Sequence, residues 1–263
     1  MYGKSFCGAS LFLIIALFLL PPIQPAGAEE TTASGESPRV RYQNCLAQTK
    51  KAPELALENA FAWRDEGGGF PARHCVALAL VAMKKYDIAA PKLEELAEDM
   101  RKAGSPLLVP VLSQAANVWL LAGNYERAEA VATAALEIEP QNIDLLIDRS
   151  RIRAKTGNYQ GAYDDLDLVL KLDPTRTDAL TFRAAALRQL GQITRALEDV
   201  ELALSLEPGL VDALAERGIL YHLTGKDDLA RKDWLAAINL APKSPAADLA
   251  RLNLENLDVH TDK

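Results

Sequence analysis

The chain has 263 residues, 49% of them hydrophobic, 25% charged and 6% aromatic, with a formal net charge of −7 at pH 7. Such a balance suits a folded protein with a sizeable buried core. The excess of acid argues against nucleic acid or an anionic lipid surface as partner, because either needs a concentrated basic patch.

The first segment reads as an address. Lys4 is followed by an apolar run from Leu11 to Leu20, then Pro21-Pro22 and Ala26-Gly27-Ala28. A cation, a short apolar stretch and a small-x-small site predict a secretory signal peptide over 1–28, cut before Glu29. An uncleaved anchor is the alternative, although the run is shorter than the ~20 apolar residues a spanning helix needs. Cys7 precedes the apolar run and so is not placed like a lipid-modified cysteine. Residues 29–39 are small, polar and acidic, which predicts a disordered leader. Cys45 and Cys75 then remain as an even pair, and in an exported protein an even pair predicts a disulfide. The bridge would close a loop of about thirty residues and contribute on the order of 3 kcal/mol. A redox-active pair is the other reading, but there is no Cys-x-x-Cys spacing and no activating base near it beyond His74. The compartment expected is an oxidising exterior, most simply a bacterial periplasm, with a eukaryotic secretory lumen left open.

Residues 40–108 predict a helical section of irregular pattern. Arg41 to Thr49 and Pro53 to Glu66 read as helices, the second ended by Gly67-Gly68-Gly69, and Pro71 opens the next at an allowed first-turn position. Residues 70–103 form a further helix pair with Tyr86 and Ala89 as markers and Lys85 in the place of a turn glycine. Gly104 to Leu108 is an insertion. This section is either a second binding surface or a stapled cap for the remainder of the chain.

From residue 109 the sequence is periodic. Pro140, Pro174, Pro208 and Pro242 stand 34 residues apart, and so do Gly123, Gly157, Gly191 and Gly225, and Ala128, Ala162, Ala196 and Ala230. Three residue types holding one step mean a stacked array of near-identical units. In the unit from Ile143, residues 144–156 and 159–172 carry apolar side chains at helical spacing. Gly157-Asn158 breaks the first run and Pro174 ends the second, since proline lacks an N–H and disfavours a helical predecessor. The alanine of the second helix, with Ala135, Val169, Ala203 and Ala237 lower on that helix, allows close approach of backbones. Four units are expected, at 109–142, 143–176, 177–210 and 211–244. A capping helix at 245–257 would turn Arg251, Asn253, Glu255 and Asn256 to solvent, ahead of a tail at 258–263.

The 34-residue step, Gly-x-Tyr at Gly123-Asn124-Tyr125 and Gly157-Asn158-Tyr159, the small positions and the closing proline resemble the tetratricopeptide repeat. The resemblance implies an all-α fold, an α-solenoid of helix-turn-helix repeats whose first helices line a groove for a peptide or a partner's helix. Carried over, the groove positions are Ser113, Asn117 and Leu120, then Ile147, Asp148, Arg151 and Lys155, then Thr181, Phe182 and Arg188, and finally Glu216, Ile219 and His222. Arg151, Lys155 and Arg188 would form a small basic cluster, with Phe182 and Ile219 as apolar anchors. Members that grip a C-terminal carboxylate use a set of Lys, Asn and Arg of which Asn117 alone is matched, with Ser113 where the first Lys belongs. That argues against a chaperone-tail clamp.

Charged columns also keep the step. Arg149, Arg183 and Arg217 on the first helices and Asp165, Asp199 and Asp233 on the second predict an ion pair within each hairpin, since the first unit lacks both members and has Ala115 and Val131. Asp144, Asp178 and Asp212 stand where first helices begin, and read as capping and dipole-favouring acids. Trp119 and Trp234 fall at packing positions, while Trp63 is undecided. His74, His222 and His260 have no ligand-spaced partners, and neither a phosphate loop nor a nucleophile or zinc signature occurs. The expectation is therefore a non-catalytic protein-protein interaction module without cofactor or metal, an adaptor or assembly factor for an envelope protein, monomeric by preference. A structural homo-oligomer, or a spacer subunit of an exported enzyme or secretion complex, is the alternative.

Overall fold

The computed structural model describes residues 36–261, which contain thirteen helices and no strand. The expected signal peptide, most of the expected leader and residues 262–263 lie outside them. The helices are α1 (Pro38–Lys51), α2 (Pro53–Asp65), α3 (Gly69–Ala82), α4 (Tyr86–Lys102), α5 (Leu108–Leu121), α6 (Tyr125–Ile138) and α7 (Ile143–Lys155). They continue as α8 (Tyr159–Leu172), α9 (Thr177–Gln189), α10 (Ile193–Leu206), α11 (Val211–Leu223), α12 (Asp227–Leu240) and α13 (Pro245–Thr261). The fold is an all-α helical repeat. Among the described residues no helix is long and apolar enough to cross a membrane.

The helices group into two compact units, with α1 to α7 in one and α8 to α13 in the other. Within the first, each helix packs on its neighbour in sequence, and α1 on α3 and α5 on α7 pair as well. The second unit repeats the scheme, with α9 against α11 and α11 against α13. These contacts between alternate helices, with those between sequence neighbours, bury a core within each unit. Ala128, Ala196 and Ala230 are fully buried, and Ala162 nearly so. Ala135, Val169, Ala203 and Ala237 are fully buried one turn pair further along.

Two helix ends differ from the sequence expectation. The helix α1 begins at Pro38, inside the expected leader, because Ser37 accepts the Val40 N–H at its N-terminus and proline suits the first turn. At the other end α13 continues to Thr261, so the expected tail is helical from 258 to 261. Its solvent face also differs. Glu255 and Asn256 are exposed, but Arg251 is half-buried and bonded to Asp248 at 2.6 Å and to the Pro242 carbonyl, and Asn253 is half-buried. The outward apolar residues are Leu249, 43% exposed, and Leu252, 54% exposed.

The hairpin turns explain the glycine series. Gly123, Gly157, Gly191 and Gly225 have φ between 72° and 80°, where a side chain is disfavoured. In the irregular section this position belongs to Lys84, at φ 58°, and not to Lys85. Lys84 lies two residues before Tyr86, as Gly123 lies two before Tyr125.

Large residues are accommodated pairwise. Trp234 on α12 is 1% exposed and donates its indole N–H to the Ala215 carbonyl at 3.2 Å. It fits because Gly218 faces it: a Cβ there would lie 2.3 Å from Trp234 Nε1. One repeat earlier the same two positions hold Ala184 and Val200, a larger residue opposite a smaller one. Of the other tryptophans, Trp63 is buried, while Trp119 is half-buried and donates to Glu94.

Lys84→Gly is expected to stabilise the chain by about 0.5–1 kcal/mol by relieving the left-handed conformation, read as a higher denaturant midpoint at unchanged slope. Gly218→Ala should cost about 1–3 kcal/mol by overpacking. Adding Trp234→Val, which recreates the preceding repeat's Ala–Val pair, should recover most of that loss. A double variant no more stable than Gly218→Ala would refute the pairwise fit.

Candidate interaction surfaces

The arginine column is anchored within its hairpins in the second unit. Arg183 on α9 grips Asp199 on α10 with two bonds, Nε to Oδ2 at 2.7 Å and Nη2 to Oδ1 at 2.8 Å. Arg217 on α11 holds Asp233 on α12 the same way, at 2.6 and 2.8 Å. Both aspartates are buried, so a two-pronged guanidinium is the partner that meets both carboxylate oxygens. The hydrogen bonds with Asp199 and Asp233 raise the arginine pKa values further above normal. Arg183 also reaches back to Asp167 on α8 at 3.0 Å. Arg149 on α7 donates to Thr133 on α6, one repeat before Asp167, at 3.3 Å, and Asp165 on α8 is buried. Of the acids at first-helix starts, Asp178 accepts the Ala179 N–H at 2.8 Å, whereas on α7 it is Asn142 that accepts the Leu145 N–H, at 3.1 Å, with Asp144 in the first turn to favour the helix dipole.

In the first unit the first-helix face is laced by polar contacts. Asn117 on α5 donates to Asp148 on α7 at 2.7 Å, and Arg151 stands 3.5 Å from the other oxygen of that carboxylate. Burial pushes the Asp148 carboxyl above its ordinary pKa, against the bond from Asn117 and the charge of Arg151. Lys155, one turn beyond Arg151, is exposed. Ile147 is buried, so it belongs to the core and not to a groove.

A second chain of bonds runs along α1, α3 and α5. Gln114 Oε1, an acceptor, lies 2.5 Å from His74 Nε2, so Nε2 carries the proton and Nδ1 accepts from the Tyr42 hydroxyl, also at 2.5 Å. Burial lowers the His74 pKa, keeping the imidazole neutral, and raises that of Tyr42 to about 12. Cys45 and Cys75 lie beside this chain, both buried, with Cα atoms 6.2 Å apart. A disulfide closes at that separation without moving the backbone.

In the second unit, Phe182 and Ile219 are half-buried and Thr181 is buried. Arg188 on α9 does not offer free charge: its guanidinium makes two bonds to Glu216 on α11, at 2.6 and 3.2 Å, and Glu216 is buried. His222 is exposed, with Nδ1 2.7 Å from Asp227 and its ring tilted on Trp234. The expected basic cluster thus loses Arg188, and Arg151 and Lys155 are the cations that project from a first helix near Asn117. Periodicity missed Tyr42, Gln114 and Glu216 as structural partners of groove-side residues.

Removing Arg217 alone leaves a buried aspartate without its partner, so Arg217→Ala should cost about 2–4 kcal/mol in chemical denaturation. Arg217→Ala/Asp233→Val, the apolar pair that the first repeat carries as Ala115 and Val131, should be more stable than that single variant. A double variant less stable than the single would overturn the pairing account.

Residues 119–187 match the tetratricopeptide repeat family. Among solved structures, the chain is similar to pilF of Pseudomonas aeruginosa at 14% identity and TM-score 0.61, covering 82% of this chain and 97% of that one. A tetratricopeptide repeat protein from Parabacteroides merdae aligns at 21% identity and TM-score 0.54, over 85% of this chain and 77% of that one. YrrB, a TPR protein with an unusual peptide-binding site, aligns at 20% identity and TM-score 0.52, over 72% and 95%. No curated protein sequence matches. The chain thus carries tetratricopeptide repeat sequence over residues 119–187 and shares the helical-repeat fold of these structural neighbours.

Proposed function

We propose that this protein is an exported, non-catalytic adaptor or assembly factor that holds a peptide or helix of another envelope protein on its first-helix faces. The tetratricopeptide fold is a protein-protein interaction scaffold, and YrrB has a peptide-binding site on it. The observation that carries the site is the pair Arg151 and Lys155, exposed one turn apart on α7 beside the Asn117–Asp148 bond. They offer two cations to acidic side chains of a bound segment, while Asn117 and Asp148 fix the helix that presents them. The export reading rests on Lys4, the apolar run of residues 11–20 and Ala26-Gly27-Ala28, together with two buried cysteines at bonding distance. Cys45 and Cys75 form a disulfide in this reading, and the compartment is the bacterial periplasm.

The test is capture from envelope extract with residues 29–263, wild type beside Arg151→Glu/Lys155→Glu. Arg188 is left intact because reversing it would strand Glu216. A partner held by wild type and at least tenfold weaker on the folded double variant is the expected result. Equal retention by both would remove the site from α7. A second reading, self-association, has one observation in its favour: Leu249 and Leu252 are exposed on the last helix. Light scattering that gives a monomer mass at 100 μM would exclude it.

A further inference from the structure

The helix α1 is held unlike its successors in the chain. It buries only Cys45 and Thr49, whereas each helix from α3 to α7 buries at least five residues. Without an apolar face it lacks the driving force that docks an ordinary repeat helix. Its other attachments are mainly polar, beside the Tyr42 ring stacked on His74 and a half-buried Leu46. Arg41 pairs with Glu66 at 2.6 Å and lies 5.2 Å from the Trp63 ring centre, Gln48 accepts from Asn59 at 3.0 Å, and Tyr42 donates to His74. Of these, the Arg41–Glu66 and Gln48–Asn59 pairs are exposed and contribute little, while the Tyr42–His74 bond is part-buried. The helix packs on α2 and α3, where Trp63 and Cys75 are 2% and 1% exposed.

We propose that α1 is a redox-released latch, held down by the Cys45–Cys75 bond and set free when an external dithiol reduces it, baring the Trp63 side of α2 and the His74 side of α3. The inference rests on the disulfide reading of Cys45 and Cys75. A thiolate of the dithiol attacks one cystine sulfur to give a mixed disulfide. Its second thiol then displaces the remaining protein sulfur. The dithiol leaves as a disulfide, and its two electrons and two protons reside on the Cys45 and Cys75 thiols. Both sulfurs are buried, so attack requires local opening of α1, which its small buried face makes the easiest opening in this unit. Once the bond is broken, the covalent limit on the distance between α1 and α3 is gone, and the polar contacts and a small packed face alone hold the helix.

Hydrogen exchange on the full secreted chain, read by mass spectrometry before and after dithiothreitol, decides the matter. Thiol titration of the untreated protein comes first. Two free thiols there would refute the disulfide itself, and the latch with it. With the bond present, reduction should speed exchange over residues 38–51 at least a hundredfold and over 59–66 severalfold, with residues 109–138 unchanged. The Cys45→Ser/Cys75→Ser variant should show the reduced pattern without reductant. Unchanged protection of 38–51 in both the reduced chain and the variant would overturn the latch and leave the disulfide standing. Loss of protection across 53–138 as well would overturn it in favour of a bond that holds the whole unit.

Discussion

Everything in the array depends on how closely the second helix of each hairpin can approach its neighbours. Ala128, Ala162, Ala196 and Ala230 sit at that approach almost without exposure, and any longer side chain would push the backbones apart. Within each unit the hairpins pack on one another, so a spacing error in one repeat would be passed to its neighbour there. The 34-residue step is the sequence form of this steric limit. Where the limit is relaxed it is relaxed in pairs, as Gly218 gives way to Trp234. The larger residue on one helix is met by a smaller one on the other.

Upon that frame the charged residues are arranged by burial. The carboxylates of Asp199 and Asp233 lie inside their hairpins and are met by arginines that can bond both oxygens. Such a pair adds little net stability over apolar residues, as the first repeat's Ala115 and Val131 illustrate, but it tolerates only one register of the two helices. Cations on the first-helix faces divide by the same criterion. Arg188 is tied to a buried Glu216, while Arg151 and Lys155 project outward at the surface of α7.

The irregular section answers the same demand by other means. Lys84 takes the left-handed turn without a glycine, and α1 is attached by a cysteine pair and a Tyr42–His74–Gln114 chain in place of an apolar face. These substitutions erase the markers by which a repeat is recognised in sequence, although the helices they connect still pair in the same order. Lys85 was a one-residue misplacement of the turn, visible only once φ is known.

The sequence by itself determined the helical hairpins of the regular region, the buried alanines and the Arg183–Asp199 and Arg217–Asp233 pairs, because each recurs at the repeat length and identical environments select identical residues. It did not determine which groove positions are open. Asn117 meets Asp148 and Arg188 meets Glu216, but neither pair recurs one repeat along, where Arg151 with Phe182 and His222 with Ala250 stand, so neither leaves a legible pattern. Whether Ile147 faces the core, and whether a cation is neutralised or offered, depends on the angle at which consecutive first helices cross. Only the tertiary structure sets that angle, since it comes from the summed packing of whole side chains and not from the period of any one residue.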